Sequence, residues 1–268
     1  YSALTIVSTA AWGLGYFGMP HILLRFMAIE DEKKLKLSRR VATIWVVISL
    51  FVAVFIGVIG YTMSKVGALE MLTGSNSETI IVKISALLSQ HGVIFALLAG
   101  VILAGILAST MSTSDSQLLA ASSAVSSDIL GAFRKDSSNK NGSMAAARIT
   151  LLVISVVAAF IARNPDSSVF AIVSFAWAGF GAAFGPVVLF SLFWKRTNKW
   201  GALAGMVCGG SMVFIWKYLI RPLGGIWNIY ELLPAFLIAC AAIVIVSLLT
   251  PKPSKEIEEE FDRVAQMK

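Results

Sequence analysis

Long runs of uncharged, apolar residues separated by clusters of charge constrain the fold of this chain more than any other feature of its sequence. A helix needs about 20 such residues to cross the hydrocarbon core of a bilayer. Hydrophobic residues make up 57% of the 268 residues and charged residues only 14%, whereas about a quarter of a soluble domain is charged. The composition therefore argues against a soluble enzyme and predicts an all-α polytopic membrane protein embedded in the lipid bilayer.

The uncharged runs predict seven membrane helices. Their approximate limits are 1–23, 41–63, 92–127, 149–162, 167–194, 200–216 and 232–250. The fourth run, between Arg148 and Arg163, holds only 14 residues. We therefore expect this helix to begin earlier, through Met144–Ala147, with Arg148 extending its guanidinium toward the lipid headgroups.

Basic residues concentrate on one side of these predicted spans. With the N-terminus outside, the cytoplasmic connections and tail hold 17 of the 22 Lys and Arg residues, and the outer connections hold 5. The positive-inside rule therefore predicts an external N-terminus and a cytoplasmic C-terminus. The basic residues lie beside apolar spans and form no stripe, so the net charge of +7 indicates topology and not nucleic-acid binding.

Three segments outside the spans have distinct compositions. In 77–92 the apolar residues recur at helical spacing over too short a length to span, which predicts an amphipathic helix on the outer face, suited to a lid. Residues 135–143 are polar and predict a flexible cytoplasmic linker. The charged residues 252–268 predict either a helix or a disordered end.

Side chains that often carry catalysis or bind metals are isolated in this sequence. Cys208 and Cys240 stand alone in apolar runs, without disulfide or metal spacing, and are interpreted as small packing residues. His21 and His91 are too far apart in sequence to indicate a metal site. The sequence contains no P-loop, nucleophile-elbow or kinase motif. These observations argue against an enzyme.

The first span is interrupted between Ala11 and Pro20. Glycine stands at positions 13, 15 and 18 and proline at 20; relative to alanine, glycine destabilises a helix interior by about 1 kcal/mol and proline by about 3 kcal/mol. A break in lipid leaves backbone groups without partners unless they face protein, a cavity or a ligand, so it often marks a transport site. Trp12 and Tyr16 could supply aromatic surface and hydrogen-bond donors there. Equally, the segment could be a kink packed against a neighbouring helix.

Small hydroxyl residues form one face of the third predicted helix. At 100° per residue, Ser109, Ser112, Thr113 and Ser116 fall within an arc of about 100°. Hydroxyl and backbone carbonyl oxygens suit an alkali cation, and this face with a freed carbonyl could supply three of its ligands. A close-packing face of small residues is the alternative.

Asp115 is the only acidic residue deep within a predicted span. A carboxylate at the centre of a bilayer costs about 2.5 kcal/mol or more, so such a residue usually has a function. It could bind an ion, carry a proton or line the cytoplasmic half of a pathway. A hydrated Asp in an inner vestibule is an equally good interpretation.

The fifth span contains residues that disturb a regular helix, namely Gly179, Gly181, Gly185 and Pro186. Two interpretations fit them equally well. The span is either a flexible or kinked gating helix, or a helix that packs closely against its neighbours.

Three long motifs are distinctive: WGLGYFGMPHILLRFMAI, ILASTMSTSDSQLLAASSAVSSDI and FAWAGFGAAFGPVVLFSLFWKRTNKWGALAGM. They closely resemble the sodium:solute symporter family, above all its bacterial proline-transporting members, and the resemblance covers essentially the whole chain. It implies a leucine-transporter-like fold of two five-helix inverted repeats. Residues 1–194 are then the second repeat, 195–250 two trailing helices and 251–268 a charged cytoplasmic tail. The chain is accordingly expected to be a fragment that lacks the N-terminal half of the protein.

The same resemblance implies a substrate site on the broken first helix. The matching residues are Trp12, Tyr16 and Pro20, and Gly13 and Gly15 belong to the same substrate-binding segment. This placement agrees with the interruption deduced from the glycines and the proline.

An ion site is implied on the hydroxyl face of the third span. Ser112 and Thr113 match hydroxyls that bind the coupling sodium ion, and Ser109 occupies a position that contributes its backbone carbonyl. Asp115 and Ser116 fall where some family members have a second sodium site.

The function implied by the resemblance is sodium-coupled secondary active uptake of a small solute, expected to be L-proline, across the plasma membrane of a bacterium. Sodium is the coupling ion, and no cofactor is implied. Further ligands of sodium and solute belong to the N-terminal half, so we expect this chain alone neither to bind nor to transport. The alternatives are symport of another solute, proton-coupled transport through Asp115, and a membrane sensor on the same fold.

Overall fold

Helices form all the regular secondary structure of the computed structural model, which describes residues 2–129, 140–163 and 168–266. No strand occurs within these ranges, so the predicted all-α class is confirmed. Six of the described helices are long and apolar enough to cross a membrane. They are Glu32–Lys65, Val93–Ile129, Met144–Ile161, Val169–Phe193, Lys199–Leu223 and Leu232–Leu249. Each corresponds to one of the second to seventh predicted runs.

The first predicted span consists of three short helices and not one continuous helix. Helix α1 (Ala3–Ala10) leads into a 3₁₀ segment at Ala11–Gly18, after which helix α2 (Pro20–Met27) begins. Met19, between them, has an extended backbone with φ −83° and ψ 112°. Pro20 is tolerated at the first position of α2, because an N–H there would have no helical partner. The predicted interruption of this span is therefore confirmed.

The chain divides into two compact units, Tyr1–Met27 with Phe170–Lys268 and, separately, Ala28–Val169. The second unit contains α3 (Leu35–Lys65), α4 (Ile80–Ser89), α5 (Val93–Ser123) with a π-helical turn at Ala124–Ile129, and α6 (Lys140–Ile161). The first unit contains α1, α2, α7 (Val169–Phe193), α8 (Lys199–Ile215), α9 (Leu232–Leu249) and α10 (Lys255–Gln266). The assignment of residues 1–194 to an inverted repeat stays a prediction.

Helix α4 packs against α3 and α5. A Cβ atom at Gly60 of α3 would overlap the side chain of Ile80 at the start of α4. Ser85, in the middle of α4, is buried. The amphipathic helix predicted within 77–92 is therefore confirmed, while its position on the outer face stays a prediction.

Helix α6 begins before the uncharged run, at Lys140. The predicted extension through Met144–Ala147 is confirmed. The expectation of a flexible linker over 135–143 is wrong for Lys140–Ser143, which are helical, because a helix already formed propagates into adjacent polar residues at little cost. Residues 135–139 lie outside the described residues.

Small residues bring α7, α8 and α9 into close contact. A Cβ at Gly209 of α8 would overlap the carbonyl oxygen of Ala182 in α7, and one at Gly205 would overlap Ile243 in α9. Glycine permits such an approach between membrane helices because no side chain separates the backbones. Cys240 is a free thiol packed against the buried apolar residues of these helices, in agreement with its interpretation as a packing residue.

Helix α7 continues through Pro186, which is buried inside it. A Cβ at Gly181 would lie 2.7 Å from the Cα of Gly15, and one at Gly185 would lie 2.8 Å from the ring of Phe236. These contacts support close packing at Gly181 and Gly185, the second interpretation of this span. Nothing lies within 4 Å of a Cβ at Gly179.

The C-terminal segment forms α10, so the helical alternative for the tail is confirmed over 255–266. The Nζ atom of Lys195 lies 2.5 Å from the Asp262 carboxylate in an exposed ion pair. Asn198, the N-cap residue of α8, donates from its side-chain amide to the Thr250 hydroxyl at 2.8 Å. These contacts fasten the connection between α7 and α8 to the end of α9 and to the tail.

Candidate functional site

Trp12 lies in the 3₁₀ segment with its ring packed against three other aromatic rings. Its centroid is 5.4 Å from that of Phe170, 5.5 Å from that of Trp177 and 6.0 Å from that of Tyr230, with interplanar angles of 13°, 17° and 16°. Near-parallel rings at such separations stack favourably. Neighbouring side chains therefore fix the plane of the Trp12 indole, which is partly buried.

Tyr16 is the more accessible of the two predicted aromatic substrate residues, with 51% of its surface exposed. Its ring meets the Trp177 ring edge-on, with centroids 4.8 Å apart and an angle of 85°. Trp12 and Tyr16 therefore both contact Trp177, and the structure brings them together through this third aromatic residue. The rest of the Tyr16 surface is not covered by the described residues.

The indole of Trp177 also contacts the backbone of the 3₁₀ segment. Its Nε1–H donates to the carbonyl oxygen of Trp12 across 2.9 Å. A Cβ at Gly15 would overlap the same indole, and one at Gly18 would lie 2.8 Å from the Cα of Gly181. Gly15 and Gly18 are both buried. The absence of side chains at these positions lets the segment lie directly on α7.

The other two predicted substrate residues lie apart from this packing. Gly13 is exposed, and a Cβ built on it would have nothing within 4 Å. Pro20 is exposed at the start of α2. Of the predicted substrate residues, the structure thus gathers Trp12, Gly15 and Tyr16 around Trp177.

Tyr230, just before α9, connects the aromatic cluster to two other parts of its unit. Its backbone N–H donates to the Ser8 hydroxyl at 3.1 Å, and its phenolic O–H donates to the Ser174 carbonyl at 2.6 Å. The residue is only 8% exposed. Burial, aided by the neighbouring Glu231 carboxylate, raises the pKa of Tyr230 above its usual value. The phenol therefore stays protonated and able to donate at neutral pH.

Glu231 is a buried carboxylate held by two cations. Its side chain is 2% exposed, with Arg221 Nη1 at 2.7 Å and Lys217 Nζ at 4.0 Å. The Lys217 ammonium also lies over the Phe175 ring, 3.8 Å from its centroid. A buried carboxylate is tolerated only when it is well paired. This network fixes the connection between α8 and α9 next to Tyr230.

The predicted ion-binding residues lie on α5, in the other unit. The Thr113 hydroxyl donates to the Ser109 carbonyl at 3.3 Å, and the Ser116 hydroxyl donates to the Ser112 carbonyl at 3.0 Å. Helix α5 is continuous here, because Ser and Thr hydroxyls can bond back onto their own helix without interrupting it. The assignment of these residues to an ion site stays a prediction. Each hydroxyl oxygen that donates keeps lone pairs for a cation.

The predicted ion-binding residues differ in solvent exposure. Ser109, Ser112, Thr113 and Asp115 are exposed, and Ser116 is partly buried. The Asp115 carboxylate is therefore accessible at the surface of its unit. This accessibility is compatible with an ion ligand, a proton carrier or a hydrated side chain, the interpretations that the sequence left open.

Sequence patterns do not identify Trp177, Tyr230 or Glu231 as members of the site. Trp177 has a weak signal, as an aromatic residue inside the glycine-rich motif FAWAGFG. Tyr230 and Glu231 stand in a short connection, and the partners of Tyr230, Ser8 and Ser174, are remote in sequence. Such contacts become visible only in the folded chain.

Together, the apolar spans and the glycine-interrupted helix are the features of a multi-pass membrane protein with a discontinuous helix. The model of the sodium:solute symporter family matches residues 2–209. The chain belongs to this family.

Three similar proteins, all from bacteria, have names that describe proline transport. The chain is 41% identical over 262 residues to a sodium/proline symporter of Haemophilus influenzae, covering 97% of this chain and 51% of the relative. It is 39% identical over 254 residues to the osmoregulated proline transporter of Bacillus subtilis, with 95% and 50% covered. It is also 39% identical over 259 residues to the sodium/proline symporter of Escherichia coli, with 96% and 50% covered. The chain thus spans about half the length of these relatives, and no solved structure matches it.

Proposed function

We propose that this chain forms the C-terminal half of a sodium-coupled transporter that takes up L-proline. The observation that carries the proposal is the 39–41% identity, over 95–97% of this chain, to proteins named sodium/proline symporter or proline transporter. Transport, and not catalysis, is the proposed activity. The proposed location is the plasma membrane of a bacterium, with residue 1 on the outer side and the tail in the cytoplasm, in accordance with the distribution of basic residues.

The proposed substrate site lies at the 3₁₀ segment. The exposed ring of Tyr16 would contact the apolar pyrrolidine ring of proline, and Trp12 would shape the wall beside it. A helix N-terminus favours negative charge, so α2, which begins at Pro20, would face the substrate carboxylate. The carbonyl end of the preceding segment, which includes Gly13 and Gly15, would face the ammonium group.

The proposed sodium site lies on α5. The hydroxyls of Ser112 and Thr113 and the carbonyl of Ser109 are hard oxygen ligands of the kind that alkali cations prefer. Three ligands are too few for sodium, so the remaining ones would come from the N-terminal half of the protein. Asp115 and Ser116 are proposed as a second ion site.

Coupling would follow from differential affinity. Sodium joining α5 to the N-terminal half would favour the outward-open state in which the substrate site is formed, and its release to the cytoplasm would weaken that state. An inward-negative membrane potential contributes about 2.3 kcal/mol per charge per 100 mV. This free energy is sufficient to drive accumulation of a zwitterion, which has no net charge.

A second candidate is transport driven by protons. It is favoured by the accessible carboxylate of Asp115 on a membrane-spanning helix, because such groups are used as proton carriers. It predicts uptake that follows the pH gradient and is indifferent to sodium.

Uptake of radiolabelled proline by vesicles containing the full-length protein tests the proposal. We expect uptake to require an inward sodium gradient and expect Thr113→Ala to raise the sodium concentration for half-maximal uptake about tenfold. Thr110→Ala is the matched control: Thr110 is also exposed on α5 and donates to its own helix, at the Ile106 carbonyl across 3.0 Å, but lies off the hydroxyl face. Proline uptake that ignores sodium, or a folded protein that transports no proline, would refute the proposal.

A further inference from the structure

Trp177 makes three different contacts with the segment that carries the proposed substrate residues. Its N–H is bonded to the Trp12 carbonyl at 2.9 Å, its ring stacks on the Trp12 ring at 5.5 Å, and the Tyr16 ring meets it edge-on at 4.8 Å. One side chain of α7 therefore contacts a backbone group and two aromatic rings of the interrupted helix.

The backbone contact is informative because a 3₁₀ segment is weakly held by its own hydrogen bonds. The geometry of such bonds is poorer than in an α-helix, and 3₁₀ runs are rarely long, yet this one extends over Ala11–Gly18. The indole donor from the neighbouring helix α7 adds a hydrogen bond from outside the segment. Gly15 provides the space for it, since any side chain there would overlap the indole.

The ring contacts leave Tyr16 accessible while fixing its direction. Trp177 meets Tyr16 on one side, and 51% of Tyr16 remains exposed. Trp177 itself is partly buried. Trp177 thus packs against one side of Tyr16 and leaves the other side exposed.

We propose that Trp177 is a positioning residue of the substrate site, which holds Trp12 and Tyr16 in the orientation that binds the solute. This inference rests on the proposed function. Trp177 acts through Trp12 and Tyr16 and needs no contact of its own with the substrate. Its N–H holds the Trp12 carbonyl by a hydrogen bond, and its ring is the surface against which the Trp12 and Tyr16 rings are oriented.

The test uses the full-length protein in proteoliposomes with Trp177→Phe, which removes the N–H donor and keeps an aromatic ring. We expect the KM for proline to rise about fivefold, the effect of one lost hydrogen bond, with turnover changed less than twofold. Such a split indicates weaker binding and not a smaller active fraction.

Trp216→Phe is the matched control. The Nε1 of Trp216 is also buried, but it has no hydrogen-bond partner among the described residues. Replacing this tryptophan removes a buried indole N–H without removing a hydrogen bond. We expect its KM for proline to stay within twofold of wild type.

A double-mutant cycle separates positioning from general support of the fold. If Trp177 acts through the Tyr16 ring, then Trp177→Phe will raise KM less in a Tyr16→Ala background than in wild type, whereas independent effects would multiply. Equal KM values for wild type and Trp177→Phe, or strictly multiplicative effects in the cycle, would overturn the proposal.

A second pair of variants covers the case in which Trp177→Phe does not fold. Gly15→Ala places a Cβ against the Trp177 indole, whereas Gly179→Ala, on α7, places one in open space. We expect KM to rise in the first variant only, and equal KM values would contradict the inference. Failure of the wild type to transport proline with sodium would instead refute the proposed function, so the two failures are distinguishable.

Discussion

Tyr230 donates its phenolic hydroxyl to the backbone carbonyl of Ser174 across 2.6 Å. The two residues are 56 positions apart in sequence, and the bond joins the start of α9 to α7. Its donor also stacks on Trp12. A residue of the connection between the two trailing helices is thus in direct contact with the interrupted helix at the N-terminal end of the chain.

Tyr230→Phe will lower the stability of the full-length protein in detergent by about 1 kcal/mol, the net contribution of a typical hydrogen bond. The ring and its stacking on Trp12 are retained, so only the hydroxyl bond is removed. Chemical unfolding curves measure the change. Tyr218→Phe is the control, because Tyr218 is 61% exposed and should change stability little; an equal loss in both variants would contradict the assigned bond.

Alkaline pH will destabilise the wild type through the same tyrosine. Burial raises the pKa of Tyr230 above its ordinary value of 10.0, so the folded state favours the protonated phenol. The stabilisation is fully present below about pH 10 and is lost as the pH rises from there toward the raised pKa. Unfolding midpoints recorded on both sides of pH 10 should fall more steeply for wild type than for Tyr230→Phe. Parallel curves would argue against a buried, protonated Tyr230.

Arg221→Met will destabilise the protein by about 3 kcal/mol, because it leaves the Glu231 carboxylate buried with only the more distant Lys217. Thermal unfolding of the purified full-length protein measures the effect. Lys195→Met is the control: it breaks the exposed pair with Asp262, whose side chains are 41% and 53% exposed, and should cost less than about 1 kcal/mol. Similar losses would show that burial does not distinguish the two pairs.

Adjacent glycines in α8 should respond oppositely to alanine. Gly209→Ala will destabilise the protein by about 1–3 kcal/mol, because the new Cβ overlaps the Ala182 carbonyl. Gly210→Ala meets only the Ala183 Cβ, at 3.9 Å, and should stabilise α8 by up to about 1 kcal/mol through helix propensity. Unfolding measurements on the two variants give the comparison. The same sign in both would be inconsistent with the helix packing described.

Several features of the fold could be predicted because they depend on neighbouring residues. The length of an apolar run decides whether a helix can span the bilayer, and six such helices occur where runs were predicted. Gly13, Gly15 and Gly18 with Pro20 interrupt the first span by local backbone preference. The flexible linker predicted from local polarity was wrong at Lys140–Ser143, which are helical. The helix of the adjoining span propagates into these residues.

The candidate site was predictable only in part. Trp12, Gly15 and Tyr16 were predicted from the interruption and from the family resemblance. Trp177, which lies against all three, was not predicted. The bond from Trp177 to Trp12 joins residues 165 positions apart, and that from Tyr230 to Ser8 joins residues 222 positions apart. The spacing of residues along the sequence cannot predict hydrogen bonds between positions so far apart.

By itself, then, the sequence determined the all-α membrane class, the positions of the spans and the interruption of the first helix, since burial in lipid and backbone propensity act over short stretches of chain. Only the tertiary structure decided which aromatic rings surround Trp12 and which interpretation of the α7 glycines holds at Gly181 and Gly185. These outcomes depend on helices remote in sequence approaching closely enough for particular side chains and backbone atoms to touch.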